Sequence, residues 1–178
     1  RNGLSFRFEY DGDDETARCV RTWGDDGIYD HRLSYDLERN VTTVVNSLGF
    51  KTQYQHRGGL VVRTVDAIGA TTLTEYDEHN QRTSEIDPLG HGARFAYDER
   101  GNLIEVQKAD GAIVKLQYSA YDQLVQATDA IGGVWRWQYD DQGRLASRVD
   151  PLGHATRFIY VRGQLRTLID PAGHATQV

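Results

Sequence analysis

From Asn46 to the carboxy end, apolar and polar residues alternate with period two, and the alternation restarts about every 21 residues. Ala93-Phe95-Tyr97, Val114-Leu116-Tyr118, Trp135-Trp137-Tyr139 and Thr156-Phe158-Tyr160 occupy one parity. Arg94, Lys115, Arg136, Gln138 and Arg157 occupy the other. Thr72-Thr74-Tyr76 and Thr52-Tyr54-His56 are weaker copies. Successive side chains of a strand point to opposite faces, so this pattern predicts half-buried strands rather than helices.

The strands are punctuated by turns. Glycines at Gly49, Gly69, Gly90, Gly111, Gly132, Gly153 and Gly173 are 20 or 21 residues apart. Most close a tetrapeptide that opens with Asp or Asn: Asn46 before Gly49, Asp66 before Gly69, Asp87-Pro88 before Gly90, Asp129 before Gly132, Asp150-Pro151 before Gly153 and Asp170-Pro171 before Gly173. Lys108-Ala109-Asp110-Gly111 is a degenerate copy. An Asp at the first turn position can accept from the backbone two residues on, Pro at the second presets φ, and Gly suits the fourth. Seven residues after these glycines stand Tyr76, Tyr97, Tyr118, Tyr139 and Tyr160, of which Tyr76, Tyr97 and Tyr139 are followed by Asp77, Asp98 and Asp140. A second turn follows, closed by Gly101, Gly143 or Gly163, and a second strand opens near Leu103, Leu124, Leu145 and Leu165. In that strand Leu145, Ser147 and Val149 are expected on one face, Ala146 and Arg148 on the other. Each unit therefore reads as strand, turn, strand, turn: an antiparallel meander. The expected fold is all-β, built of strand-turn-strand repeats of about 21 residues.

Residues 1–45 follow the same grammar with insertions. Gly3 precedes Phe6, Phe8 and Tyr10 at the usual offsets, and Tyr35-Asp36 leads to Val41-Thr43-Val45. Asp11 to Glu15 and Trp23 to Gly27 are expected to be longer loops. The whole of 1–178 is taken as one repeat segment, divergent over 1–45 and regular over 46–178. The chain begins at Arg1 and lacks Met, so it is expected to be part of a larger polypeptide.

Composition narrows the function. The net charge of −6 argues against a nucleic-acid surface. No uncharged run approaches the ~20 residues of a membrane helix, the longest being the polar stretch Asn40 to Phe50. One Cys, Cys19, provides neither an intrachain disulfide nor a multi-Cys zinc site. All but three of the 20 basic residues are Arg, which suits fixed pairing with carboxylates and stacking on rings. Arg94, Arg136 and Arg157 share one repeat position and are candidates for cross-repeat ladders with turn acids. Alternatively, their face lines an interior.

Candidate chemistry is sparse. His91, His154 and His174 recur after the turn glycine, and recurring His can bind metal, but a polar turn residue is the preferred reading. Asp11, Asp13 and Glu15 alternate as in calcium loops, yet Gly at loop position six and Glu at position twelve are missing. The recurring Tyr, with Trp135 and Trp137, suggest a glycan platform; rings that close and pack a strand face, with hydroxyls at its wet edge, are preferred. There is no Gly-x-Ser-x-Gly, no His-Glu-x-x-His and no phosphate loop. No catalytic, metal or cofactor-binding residue is assigned and no cofactor is expected. The structural motif residues are those named above.

Tyr97-Asp98-Glu99-Arg100-Gly101-Asn102-Leu103 and Tyr139-Asp140-Asp141-Gln142-Gly143-Arg144-Leu145, with Asp87-Pro88-Leu89-Gly90-His91 and Asp150-Pro151-Leu152-Gly153-His154, resemble the YD/RHS (rearrangement hotspot) repeat family. The resemblance implies a long spiralling antiparallel sheet, closed as a hollow shell or β-cocoon. Bacterial members enclose a carboxy-terminal toxin and deliver it to competitors, often by type VI secretion. The implied partners are the remaining shell segments, the enclosed toxin, a secretion spike protein, a chaperone and an immunity protein. The implied location is the bacterial cytoplasm before export, then outside the cell or in the target. Insect-toxin complexes and animal teneurins share the shell. The family's self-cleaving core motif is absent here. The alternative is an extracellular YD-repeat adhesion or carbohydrate-binding protein. The polar face is expected to line the lumen and the aromatic face to be covered.

Overall fold

The computed structural model describes residues 5–178, and Gly3 lies outside the described residues. Seventeen strands and one short 3-10 turn at Asp25–Gly27 make up its regular structure. The chain divides into two compact units, Arg1–Gly92 and Ala93–Val178.

The first unit carries β1 (Phe6–Tyr10), β2 (Cys19–Gly24), β3 (His31–Asp36), β4 (Val41–Val45), β5 (Lys51–Arg57), β6 (Leu60–Val65), β7 (Thr71–Tyr76) and β8 (Arg82–Ile86). Each strand pairs antiparallel with the next in sequence. The second unit carries β9 (Gly92–Tyr97), β10 (Leu103–Gln107), β11 (Ile113–Tyr118), β12 (Leu124–Thr128), β13 (Val134–Tyr139), β14 (Leu145–Val149), β15 (Ala155–Val161), β16 (Gln164–Ile169) and β17 (Ala175–Gln177). It is again a meander of sequential neighbours. Trp23 and Gly24, expected in a loop, instead end β2, where Arg7 lies opposite Trp23 and Phe6 opposite Gly24.

Directly opposed residues of an antiparallel pair share a face. In the second unit one face carries three apolar rows and one mixed row: Phe95 opposite Val106, then Val114; Leu116 opposite Ala127, then Trp135; Phe158 opposite Leu168; and Trp137 opposite Arg148, then Thr156. The other face carries Gln117, Gln126, Arg136 and Val149 in one row and Gln138, Ser147, Arg157 and Ile169 in the next. The aromatic face is half-buried apart from the exposed Arg148, and on the other face Arg94, Lys115, Arg136 and Arg157 are exposed. Among the described residues no hydrophobic side chain is fully buried. Each unit is thus a single layer. Its apolar face is screened by lateral neighbours, not by a second layer of the kind a domain core requires.

In seven of the hairpins the second strand departs from simple alternation, whereas β3 and β4 pair in unbroken register. Gln138 opposes Ser147, but Tyr139 opposes Leu145, leaving Ala146 unopposed. The same register shift occurs beside Tyr97, Tyr118 and Tyr160 in the second unit and beside Tyr10, His56 and Tyr76 in the first. A bulge resets the side-chain parity by one residue. Leu145 therefore shares the aromatic face with Tyr139, while Ser147 and Val149 share the polar face with Gln138 and Arg136. This corrects the expectation that Leu145, Ser147 and Val149 lie together.

Candidate functional site: two turn rows and an aromatic face

The Asp-initiated turns repeat one geometry. At Asp87 the backbone N–H of Gly90 donates to the Asp87 carbonyl at 3.0 Å, and the Asp87 N–H donates to the His91 carbonyl at 2.9 Å. Asp87 Oδ1 accepts the N–H groups of Leu89 and His91, both at 2.8 Å. Asp150 holds Leu152 and His154 the same way, at 2.9 and 2.8 Å. The fourth position lies in the left-handed region, φ +85° at both Gly90 and Gly153, which glycine enters without a Cβ clash. Gly69, Gly111, Gly132 and Gly173 occupy the equivalent position. Pro88, Pro151 and Pro171 stand second in their turns.

The turns after the tyrosines use the same scheme at the opposite ends of the strands. Asp98 Oδ1 accepts from Arg100 at 3.0 Å and Asn102 at 2.9 Å, and Asp140 Oδ1 accepts from Gln142 at 2.9 Å and Arg144 at 3.0 Å. Asp77 does so with His79 and Gln81, and Ser119 replaces the carboxylate with its hydroxyl. Gly101 and Gly143 have positive φ here, as do Asn80 and Asp122 where glycine is missing, whereas Gly163 lies in a different turn, a two-residue loop with positive φ at both Arg162 and Gly163.

These bonds set the carboxylate chemistry. The Asn102 side-chain amide beside Asp98 and the Arg144 guanidinium beside Asp140 hold both carboxyls below the ordinary range. The His91 backbone N–H lowers Asp87, and the His174 N–H lowers Asp170. At Asp150 partial desolvation pushes upward, but the hydrogen bonds from His154 outweigh it and the net shift is downward. Each His Nδ1 meets its own turn carboxylate: His91 with Asp87 at 3.0 Å, His154 with Asp150 at 2.9 Å, His174 with Asp170 at 3.0 Å. The His residues are engaged within their own turns. Among the described residues no group of three or more His, Cys, Asp or Glu could hold a metal ion.

The acidic loop is likewise spent locally. Asp11 Oδ1 accepts the Arg18 N–H at 2.7 Å, and Asp14 Oδ1 accepts from the Thr16 N–H and hydroxyl at 2.8 and 2.6 Å. The Thr16 hydroxyl lowers the Asp14 pKa.

Tyrosine does more than close a strand. Tyr139 Oη donates to the Leu124 carbonyl at 3.0 Å, Tyr76 Oη to the Val61 carbonyl at 3.2 Å and Tyr35 Oη to the Cys19 carbonyl at 2.7 Å. In each case the acceptor is the first residue of the bulge in the preceding hairpin: Leu124 opposes Tyr118, Val61 opposes His56 and Cys19 opposes Tyr10. A bulge interrupts the ladder, and the next repeat's hydroxyl binds the carbonyl there. The expected wet-edge hydroxyl is corrected at these three positions. Tyr160 differs: the Arg144 guanidinium lies over its ring at 4.6 Å, within cation–π range.

Arg94, Arg136 and Arg157 do not form the expected ladders with turn acids. They oppose Gln107, Gln126 with Val149, and Ser147 with Ile169, all uncharged. The cross-repeat pairing belongs to Arg100, which donates to the carbonyls of Ala120 and Ser119, each at 2.7 Å, and pairs with Asp122 at 3.1 Å. Asn102 also reaches Asp122 at 2.8 Å, and Gln123 reaches the Gly143 carbonyl at 2.9 Å. Arg148 lies 5.7 Å from the Trp135 ring and Arg21 4.5 Å from the Trp23 ring. Arg100 stands just before the turn glycine Gly101, but only the spacing of adjacent hairpins reveals its partner.

Single-layer hairpins, stitched repeat to repeat by bulge-capping tyrosines and turn side chains, define an antiparallel β-repeat protein. The profile of the RHS repeat matches residues 56–91, 76–113, 118–155 and 139–176, more than half of the chain. The chain belongs to the RHS repeat family. No curated protein matches it. Among solved structures it is similar to the Photorhabdus luminescens Tc holotoxin pore, at 14% identity and a TM-score of 0.61 over 94% of this chain. It is also similar to TcdB2-TccC3 without the hypervariable C-terminal region, at 14% identity and a TM-score of 0.63 over 94% of this chain. Both likenesses show a shared fold. The chain spans 10% of the length of each of those chains. No described helix is long and apolar enough to cross a membrane.

Proposed function

We propose that this chain is a non-enzymatic wall segment of an RHS-type shell that sequesters a toxin polypeptide until delivery. The observation that carries the reading is a single layer of linked hairpins with one aromatic and one polar face. A layer without a core of its own is stable only as part of a larger packed structure, and a wall with chemically different sides suits containment. The likeness in fold to Tc toxin chains supports the same reading.

On this proposal the partners are further shell segments and an enclosed carboxy-terminal toxin. The aromatic face, including Trp135 and Trp137, is covered. The polar face, with Arg94, Arg136 and Arg157, lines the lumen and resists adhesion of unfolded cargo. The finer reading is a bacterial type VI effector used against competitors, made in the cytoplasm and exported with a spike protein, a chaperone and an immunity protein. The repeat-motif residues serve the wall, and no catalytic role is assigned to them.

The test is limited proteolysis of the full polypeptide that carries this segment. A carboxy-terminal region resistant while the repeats are intact, and digested once they are opened by denaturant, is the expected result. Equal sensitivity in both states refutes containment. Glycan binding that Trp135→Ala abolishes would instead establish the adhesion reading. Loss of competitor killing when the secretion apparatus is deleted tests type VI delivery.

A further inference from the structure

The two turn rows share a backbone and differ at their tips. In the turns opened by Asn46, Asp66, Asp87, Asp129 and Asp150, the third residue is Leu48, Ile68, Leu89, Ile131 or Leu152, and each is 77 to 94% exposed. Asp110 and Ala172 hold this position in two further copies. At the opposite ends of the strands the corresponding tips are His79, Arg100, Tyr121 and Gln142. Both rows have the same carbonyl-to-N–H closure and the same Asx or Ser bonding. Turn conformation therefore does not call for Leu or Ile at the third position, since the same conformation accepts His, Arg, Tyr and Gln across the layer. What differs is the surroundings the two edges meet.

Within each unit successive aliphatic tips are two strand spacings apart, ~10 Å. The carboxylates beside them are held inside their own turns by two backbone N–H groups, and at Asp87 and Asp150 by a His as well. The edge thus offers aliphatic side chains with its polar groups already satisfied. Strands of six or seven residues, as in β11 and β15, make each layer only ~20 Å across, so a wall needs neighbours along its edges. An edge built of the same repeat has the same ~10 Å period and lets each tip enter a gap between two others.

Building on the shell reading above, we infer that the row Leu48, Ile68, Leu89 and the row Ile131, Leu152 are seam anchors. They pack against an apolar-tipped turn edge of another RHS stretch in the same polypeptide. A polypeptide as long as the Tc chains of similar fold has room for that stretch, since this chain spans 10% of their length. The opposite row, whose tips His79, Arg100, Tyr121 and Gln142 include a single exposed phenol ring and no aliphatic side chain, faces no such seam.

The test uses the full polypeptide with p-benzoylphenylalanine placed by Ile131→p-benzoylphenylalanine, and by Gln142→p-benzoylphenylalanine as control. Illumination followed by peptide mapping should give an intramolecular crosslink from position 131 to a distant repeat, and none from position 142. In parallel, the pair Ile131→Asp and Leu152→Asp should raise proteolysis of the wall at least tenfold, while Gln142→Asp leaves it unchanged. Because the tips are exposed and make no turn bonds through their side chains, far-ultraviolet circular dichroism should not change. An intermolecular crosslink overturns the inference in favour of a second copy. Absence of any crosslink from a polypeptide whose carboxy-terminal region is still protected overturns the seam and leaves the shell intact. Loss of that protection in the parent protein overturns both.

Discussion

Tyr139→Phe removes one hydroxyl and leaves the ring in place. Its expected effect can be worked from the contact it deletes: the 3.0 Å bond to the Leu124 carbonyl, at the bulge where β12 leaves regular pairing with β11. Both groups are half-buried, so solvent replaces the bond incompletely and the loss should be about 1 kcal/mol. Unfolding of a repeat array is not one global transition, so the suitable assay is local. In hydrogen exchange of the full polypeptide, the amides of β12 and β13 should exchange roughly fivefold faster, since 1.4 kcal/mol corresponds to a factor of ten. Tyr160→Phe is the control, because the Tyr160 ring lies beneath Arg144 and, among the described residues, no carbonyl receives its hydroxyl. Removing the hydroxyls of Tyr35, Tyr76 and Tyr139 together should cost about 3 kcal/mol, as the three share no acceptor. Equal exchange in Tyr139→Phe and parent, or equal acceleration in Tyr139→Phe and Tyr160→Phe, refutes the link between hydroxyl and bulge.

Other consequences are open to direct measurement. The carboxyl groups of Asp87, Asp98, Asp140, Asp150 and Asp170 titrate lower folded than unfolded. Their contribution is therefore full above about pH 4 and is lost as pH falls through the folded values; a denaturation midpoint that rises on acidification would contradict this. Gly153→Ala places a Cβ on a residue at φ +85° and should destabilise its hairpin by about 1 kcal/mol, read as faster local amide exchange. Gly133→Ala acts differently: its Cβ would come within 2.5 Å of Asp129 Oδ2. It should displace the carboxylate that binds the Ile131 and Gly133 N–H groups and expose both amides to exchange. Arg100→Ala should loosen the turn at Ser119 to Gln123, with Arg136→Ala as a silent comparison.

Much of this architecture is legible in the chain because its signals are short-range. Period-two alternation marks β9, β11, β13 and β15, and Asp87-Pro88-Leu89-Gly90 encodes a turn whose bonds all close within five residues. What alternation alone mislays is the parity of the second strand. Leu145 and Ser147 are two residues apart and look co-facial, yet the unopposed Ala146 puts them on opposite sides. The destination of the Tyr139 hydroxyl, the Leu124 carbonyl 15 residues upstream, follows from the bulge of the preceding hairpin and has no mark in the sequence beyond the recurrence of Tyr. Arg94, Arg136 and Arg157 share a repeat position that suggests ion pairing, but register gives them uncharged neighbours, while Arg100 finds Asp122 across adjacent turns.

The amino-acid sequence by itself determined the hairpin unit, its 21-residue period, the turn chemistry and the family. Each is a matter of a few neighbouring residues repeated many times. Only the tertiary structure decided which residues share a face, which carbonyl each tyrosine binds and which edge is aliphatic. Those properties depend on the register between strands. A one-residue bulge shifts register without changing composition or period, so geometry resolves what the pattern leaves the same.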